Sequence, residues 1–143
     1  MILRELMKER CPVFSLSKDS RISEAAEMMR EQRIGSIVII DANQQVIGML
    51  TDRDIALTLA LGAGTSNSFV SEAMSQDVVT VVESQALFDV VKVFRESRVK
   101  RLPVVDDSGQ LVGVVSVDDV MGLLAREMFD TCVSLEPKLG HLI

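Results

Sequence analysis

Thr51 and Asp54, and again Ser116 and Asp119, set a hydroxyl and a carboxylate three positions apart. A glycine and two apolar residues precede each pair, in Gly48-Met49-Leu50-Thr51-Asp52-Arg53-Asp54 and Gly113-Val114-Val115-Ser116-Val117-Asp118-Asp119. Both stretches read as a strand handing over to a helix, where two chemistries are open. Hydroxyl and carboxylate can form a capping box that satisfies free backbone N–H groups. Alternatively, the carboxylate can accept hydrogen bonds from two ribose hydroxyls, as acidic residues do in other nucleotide sites. The hydroxyl residue and the helix N-terminus then face a phosphate. On the residues alone, the capping box is favoured. Arg98, Lys100 and Arg101 put three cations within four residues of an acidic chain. An arginine fork suits phosphate oxygens, although a solvated strand edge explains the same cluster. Alternation along a strand puts Lys100 and Arg101 on opposite faces, which makes Arg101 the first choice. Arg53 is the second, and Asp118 replaces it in the other copy.

No catalytic constellation assembles. His141 is the only histidine, so neither a Ser/His/Asp nor a Cys/His arrangement can form. The pairs Asp52/Asp54, Asp106/Asp107 and Asp118/Asp119 read as turn and cap residues rather than metal ligands. Cys11 and Cys132 fit neither a metal spacing nor a disulfide framework, which suits a reducing cytoplasm. A net charge of −6 argues against general nucleic-acid binding. No apolar run approaches a membrane span, and Met1 to Met7 is too short and too charged for a signal peptide. With 48% apolar residues but only 3% aromatic, the core must be built from Val, Ile, Leu and Met.

The elements that must position these residues also come twice. Arg30, Glu31, Arg33, Asp41, Gln45, Gly48 and Asp54 recur 65 positions on as Arg95, Glu96, Arg98, Asp106, Gln110, Gly113 and Asp119. One structural unit is therefore used twice. Val13 to Leu16 and Val78 to Val82 read as short strands, with Asp19-Ser20 and Ser84 as candidate N-caps of the helices behind them. Ile22, Ala25, Ala26 and Met29 have the stripe spacing of an amphipathic helix, and so have Leu87, Val90, Val91 and Phe94. These helices are expected to end near Arg33 and Arg98. Ser36 to Ile40 and Val46 to Leu50 flank a turn at 41–45, and Leu102 to Val105 and Leu111 to Val115 flank one at 106–110. Their nearly continuous apolar character calls for cover on both faces. Second helices follow at 52–61 and 117–128. A shorter echo joins Met1–Met7 to Phe69–Met74 at an offset of 67. It places two extra residues near Lys8 to Pro12, with Pro12 at the mouth of a strand. The expected organisation is a first repeat at 1–61, a linker at 62–68, a second repeat at 69–128 and a tail at 129–143. Pro137 and Gly140 argue against one continuous helix in that tail. A unit of about 55 residues struggles to stabilise its own core, so the halves should pack sheet to sheet about a pseudo-twofold axis.

The doubled glycine–apolar–apolar–Thr/Ser–x–x–Asp stretch is joined by Arg98-Val99-Lys100-Arg101-Leu102-Pro103-Val104-Val105-Asp106. Arg33 to Asp41 is its variant without the proline. With these, the sequence resembles a tandem cystathionine-β-synthase (CBS) domain pair, or Bateman module, from about Leu3 to Met128. The resemblance implies an α/β (α+β) fold of two β-α-β-β-α repeats. It also implies a regulatory module, often dimerising into a flat disc, that binds adenosyl ligands between its repeats. AMP, ADP, ATP, NAD and S-adenosylmethionine serve in such modules, and some members bind none. On this footing the ribose reading moves ahead for at least one of the Asp54 and Asp119 sites. An adenine would need an apolar slot, which Phe14 to Leu16, Val79 to Val81, Ile37-Val38 and Leu102-Pro103 could line. Leu16, Ile37, Thr80, Val81 and Pro103 are accordingly candidates, although they read equally as core strands. The expectation is a cytoplasmic, homodimeric sensor of an energy or metabolite ligand, AMP, ATP or NAD. It would be no enzyme, need no cofactor, touch neither nucleic acid nor membrane, and answer to an unknown protein partner. A ligand-free dimerisation or adaptor domain is the alternative.

Overall fold

Two runs that are apolar after their first residue, Ser36–Ile40 and Arg101–Val105, become the central strands of two three-stranded sheets. The computed structural model describes residues 1–7 and 13–139; Cys11, Pro12 and the offset near Lys8, with Gly140 and His141, lie outside them. In the first half, β1 (Ser15–Ser17) runs parallel to β2 (Ser36–Ile40), which pairs antiparallel with β3 (Val46–Thr51). In the second, β4 (Val81–Val82), β5 (Arg101–Val105) and β6 (Leu111–Ser116) repeat the order. Ser36 faces Thr51 as Arg101 faces Ser116, and a bulge interrupts the register at Ile39/Ile40 and at Val104/Val105. The Asp41 and Asp106 carboxylates fold their turns by accepting N–H bonds from two and four residues on.

Strand alternation sorts the central residues. Ile37 and Ile39 pack into one core with Ile22, Ala25 and Met29 of helix α2 (Ile22–Gln32) and Ile55 of α3 (Asp52–Ala60). Leu102 and Val104 do the same with Leu87, Val90 and Phe94 of α4 (Leu87–Ser97) and with Val120 and Leu123 of a last helix, Val117–Leu139. Val38, Ile40, Pro103 and Val105 point the other way and are also buried. There the sheets meet, as the pattern required. Ala26 and Val91, counted into the helical stripes, lie exposed at their edges.

Each core is closed by a segment from the opposite end of the repeat pattern. The first helix, α1 (Leu3–Met7), docks on the second half: Leu3 is fully buried there, and its N–H donates to the Gln85 carbonyl at 2.9 Å. Arg4 pairs with Glu83 at 3.0 Å, and the carboxylate raises the guanidinium pKa further. Reciprocally, the 3-10 turn Val70–Glu72 docks on the first half, where Val70 is fully buried. The two motif glycines serve this crossing. A Cβ on Gly48 would overlap Met74, and one on Gly113 would overlap Met7.

Two expectations need correction. The helix starts are Arg21 and Ala86, neither with a side-chain cap, rather than Asp19-Ser20 and Ser84. The first N–H groups of α2 donate instead to the carbonyls of Ser68 and Ser66, and the Leu87 N–H to that of Met1. The crossing segments cap both helices. The last helix, now α5, also continues past Met128 to Leu139. No glycine or proline stands between Gly122 and Pro137, so no residue type that breaks a helix intervenes before its last turn. Thr131 and Ser134 donate back to the carbonyls of Glu127 and Asp130 instead of competing with the helix.

Candidate functional site

The two hydroxyl–carboxylate pairs form capping boxes. The Asp54 N–H donates to Thr51 Oγ1 at 3.1 Å, and the Thr51 N–H donates to Asp54 Oδ2 at 2.9 Å. In the second half the Asp119 N–H donates to Ser116 Oγ at 3.1 Å, while the Ser116 N–H and hydroxyl reach Asp119 Oδ2 at 2.7 and 2.6 Å. The cap uses Oδ2 in both. A carboxylate offers about four lone-pair sites, so a cap leaves acceptor capacity. Asp54 Oδ1 takes no hydrogen bond among the described residues. At Asp54 the two readings are therefore compatible.

Each capping box opens onto a cleft whose other wall belongs to the other half. Thr51, Arg53 and Asp54 of the first half face Ser97 to Arg101 of the second, across a cleft of about 660 Å³. Its remaining lining includes Ser75, Asp77, Val78, Val79 and Met49. Ser116 and Asp119 of the second half face Arg33 to Ser36 of the first, across a cleft of about 350 Å³ closed by Val13, Phe14 and Val114. Backbone bonds hold the facing turns in place: the Asp52 N–H donates to the Gly35 carbonyl at 3.0 Å and the Val117 N–H to that of Lys100 at 2.9 Å.

The wider cleft is basic. Arg53, Arg98, Lys100 and Arg101 line it against two carboxylates, Asp54 and Asp77. The narrower one has Arg33 and Arg101 against Asp119. Among the described residues, none of these cations makes an ion pair. Arg33 and Arg98 terminate α2 and α4 in the left-handed conformation, at φ 54° and 57°. That conformation costs an L-residue roughly 1–2 kcal/mol, and glycine is the usual occupant. Here the strained residue carries a guanidinium into a cleft on both occasions.

Of the residues singled out from the sequence, Thr51, Arg53, Asp54, Arg98 and Lys100 come together at the wider cleft. Ser116 and Asp119 line the narrower, and Arg101 lines both. Lys100 and Arg101 share a wall, against the alternation argument, because Lys100 lies in the turn before β5 begins. Five candidates stay outside both linings. Ile37 and Val81 are in the helix-facing cores, Leu16 packs against the first of them, Pro103 is buried between the sheets and Thr80 is exposed. The apolar lining is set one step earlier, at Val13-Phe14 and Val78-Val79, which precede the short strands β1 and β4. Arg33, Ile34 and Gly35 were missed, although they stand 65 positions before Arg98, Val99 and Lys100.

The model of one family, the CBS domain, matches the chain twice, at residues 3–60 and 70–126. The chain is similar to the protein MK0525 of Methanopyrus kandleri, 36% identical over 68% of this chain and 50% of that protein. It is also similar to an inosine-5'-monophosphate dehydrogenase of Nitrosopumilus maritimus, 31% identical over 75% of this chain but only 21% of the enzyme. The chain thus spans half or less of these two relatives. The CBS domain-containing protein YhcV of Bacillus subtilis is 36% identical, with 76% of each chain covered. Among solved structures, a putative signal-transduction protein with CBS domains from Burkholderia ambifaria superposes with a TM-score of 0.74 at 26% identity, covering 87% of this chain and 93% of that one. The CBS domain pair of protein MJ0100, solved with 5'-methylthioadenosine and S-adenosyl-L-methionine, has a TM-score of 0.75 at 24% identity, covering 89% and 98%.

Proposed function

The chain belongs to the CBS-domain family, and from that premise we propose that it is a regulatory module that binds an adenosyl ligand such as AMP, ATP or NAD. The observation that carries this is the wider cleft. A helix N-terminus and a carboxylate with a spare acceptor oxygen stand opposite Arg98, Lys100 and Arg101, with Arg53 beside them, and none of the four makes an ion pair among the described residues. Asp54 would take the ribose hydroxyls, Arg98, Lys100 and Arg101 the phosphate, and Val78-Val79 the base. A cavity of about 660 Å³ is of the size that small-molecule sites occupy. The likeness to MJ0100 is one of fold, so the ligand is argued from this chemistry. Binding would favour one relative placement of the halves, and a protein partner would read it. The module itself would catalyse nothing and work in the cytoplasm; among the described residues no helix is long and apolar enough to cross a membrane.

A second reading, a dimerisation or adaptor role without ligand, has its own support in α5. Met121, Leu124, Met128 and Phe129 are exposed there, and Phe88 and Val91 are exposed on α4, the helix that α5 contacts. We propose a homodimer built on this face, with or without ligand.

The deciding experiment is a thermal-shift series with AMP, ATP, NAD and S-adenosylmethionine on the wild type, Asp54→Asn and Asp119→Asn. A ligand at a hundred times its Kd adds about 2.7 kcal/mol, a shift of several degrees at this size. Loss of that shift in Asp54→Asn supports the sensor reading. No shift with any of the four at millimolar concentration leaves the adaptor.

A further inference from the structure

Ser36 and Arg101 line both clefts. They are the first residues of β2 and β5, 65 positions apart and equivalent in the two repeats. The wall between the clefts is therefore made by one pair of equivalent positions, and only one of the two carries a charge. Arg101 is exposed and, among the described residues, its guanidinium makes neither a hydrogen bond nor an ion pair. No contact among the described residues commits it to one side.

Resting on the adenosyl reading above, we infer that Arg101 is an anion ligand of both clefts and can serve only one at a time. Phosphorylated ligands in the two clefts then oppose one another, whereas uncharged ligands do not. A guanidinium is a single planar fork that grips one phosphate bidentately, and Ser36 offers no second fork. When a phosphate in the wider cleft engages Arg101, that phosphate still has Arg53, Arg98 and Lys100 around it. Among the described residues, the narrower cleft is left with Arg33 as its one remaining cation, on the same lining as Asp119. Filling the wider cleft thus weakens the narrower one for anions, and thermodynamic reciprocity requires the converse by the same factor.

Calorimetric titration with AMP and with adenosine tests this. Asp54→Asn disables the wider cleft and reports the narrower one alone. The second AMP bound by the wild type should be roughly tenfold weaker than the AMP bound by Asp54→Asn, whereas adenosine should show no such gap. Arg101→Ser, which gives the second repeat the residue of the first, should close the gap between its own second step and that of Arg101→Ser/Asp54→Asn. Arg101→Lys, which keeps the charge without the fork, should fall between. Two adenosines but one AMP per chain would be the extreme form of the effect. Equal AMP constants in the wild type and Asp54→Asn overturn the inference, as does a gap that survives Arg101→Ser. One site per chain for both ligands overturns it too, because no second anion then competes. Only the absence of AMP and adenosine binding altogether would also take down the adenosyl reading.

Discussion

At the scale of single residues, the side chains with the most chemistry have two duties each. Asp54 caps α3 with Oδ2, leaves Oδ1 without a hydrogen bond among the described residues, and lines the cleft. Asparagine keeps an oxygen acceptor for the cap but loses the charge. Asp54→Asn should therefore cost no more than about 1 kcal/mol of stability while removing most ligand affinity, which thermal midpoints with and without AMP will resolve. Replacement by alanine should damage both. Arg33 and Arg98 show the opposite balance. Their left-handed backbone costs roughly 1–2 kcal/mol, of which glycine's extra unfolded-state entropy would give back about 0.5–1 kcal/mol. Arg98→Gly should thus be neutral or stabilising by up to about 1 kcal/mol in denaturant melts, and should weaken AMP binding. A binding loss paired with a midpoint that does not fall separates a ligand role from a structural one. The doubled hydroxyl–carboxylate spacing was legible from the sequence because capping is local. The place of Lys100 was not, since it depends on where a strand begins, and neither were the linings at Val13 and Val78, for the same reason.

At the scale of elements, periodicity read the strands and helices well, because burial against one neighbour imposes a period of 2 or 3.6. What it could not read were contacts between segments far apart in sequence. The caps of α2 and α4 are backbone carbonyls of Ser66, Ser68 and Met1, and a carbonyl carries no residue signature. The motif glycines belong to the same crossing. At Gly48 a new Cβ would meet both the Met74 sulfur and its Cγ, the latter at 2.8 Å. At Gly113 it would meet only the terminal methyl of Met7, whose sulfur stands off at 3.4 Å. Overpacking costs about 1–3 kcal/mol, so Gly48→Ala should fall at the upper end and Gly113→Ala at the lower. Met74→Ala should relieve Gly48→Ala in a double-mutant cycle. Helix α5 poses a different question. Its last buried residue is Leu123, and every described side chain from Leu124 to Leu135 is exposed. A helical arm of this length is marginal alone in water, and Met128 and Phe129 are 69% and 68% exposed. Met128→Asp/Phe129→Asp should convert the proposed dimer to a monomer in sedimentation velocity, without lowering the stability of the two cores. A wild type that sediments as a monomer at high micromolar concentration would refute the dimer.

At the scale of the whole molecule, the 65-residue repeat revealed two halves but not how the chain shares them. In sequence, Met1–Met7 and Phe69–Met74 echo one another, each at the head of its own repeat. In space each completes the other repeat's core, Leu3 belonging to the cluster of Val81, Leu87 and Val90, and Val70 to that of Ile22, Ala25 and Ile37. A repeat cut at the linker therefore loses the plug that closes it, so the halves are bound into one cooperative unit. The clefts inherit this arrangement, since each takes its capping box from one half and its facing turn from the other. Leu3→Ala tests it. Deleting a fully buried leucine costs about 2–5 kcal/mol, which at this size is a fall in midpoint on the order of 10 °C. If the halves were independent, that loss would confine itself to residues 1–61. The crossed arrangement instead requires hydrogen exchange to rise first in α4, β5 and β6, more than 80 positions away in sequence. It also requires AMP to protect the mutant against that opening, because the wider cleft draws its basic wall from the half that Leu3 holds shut.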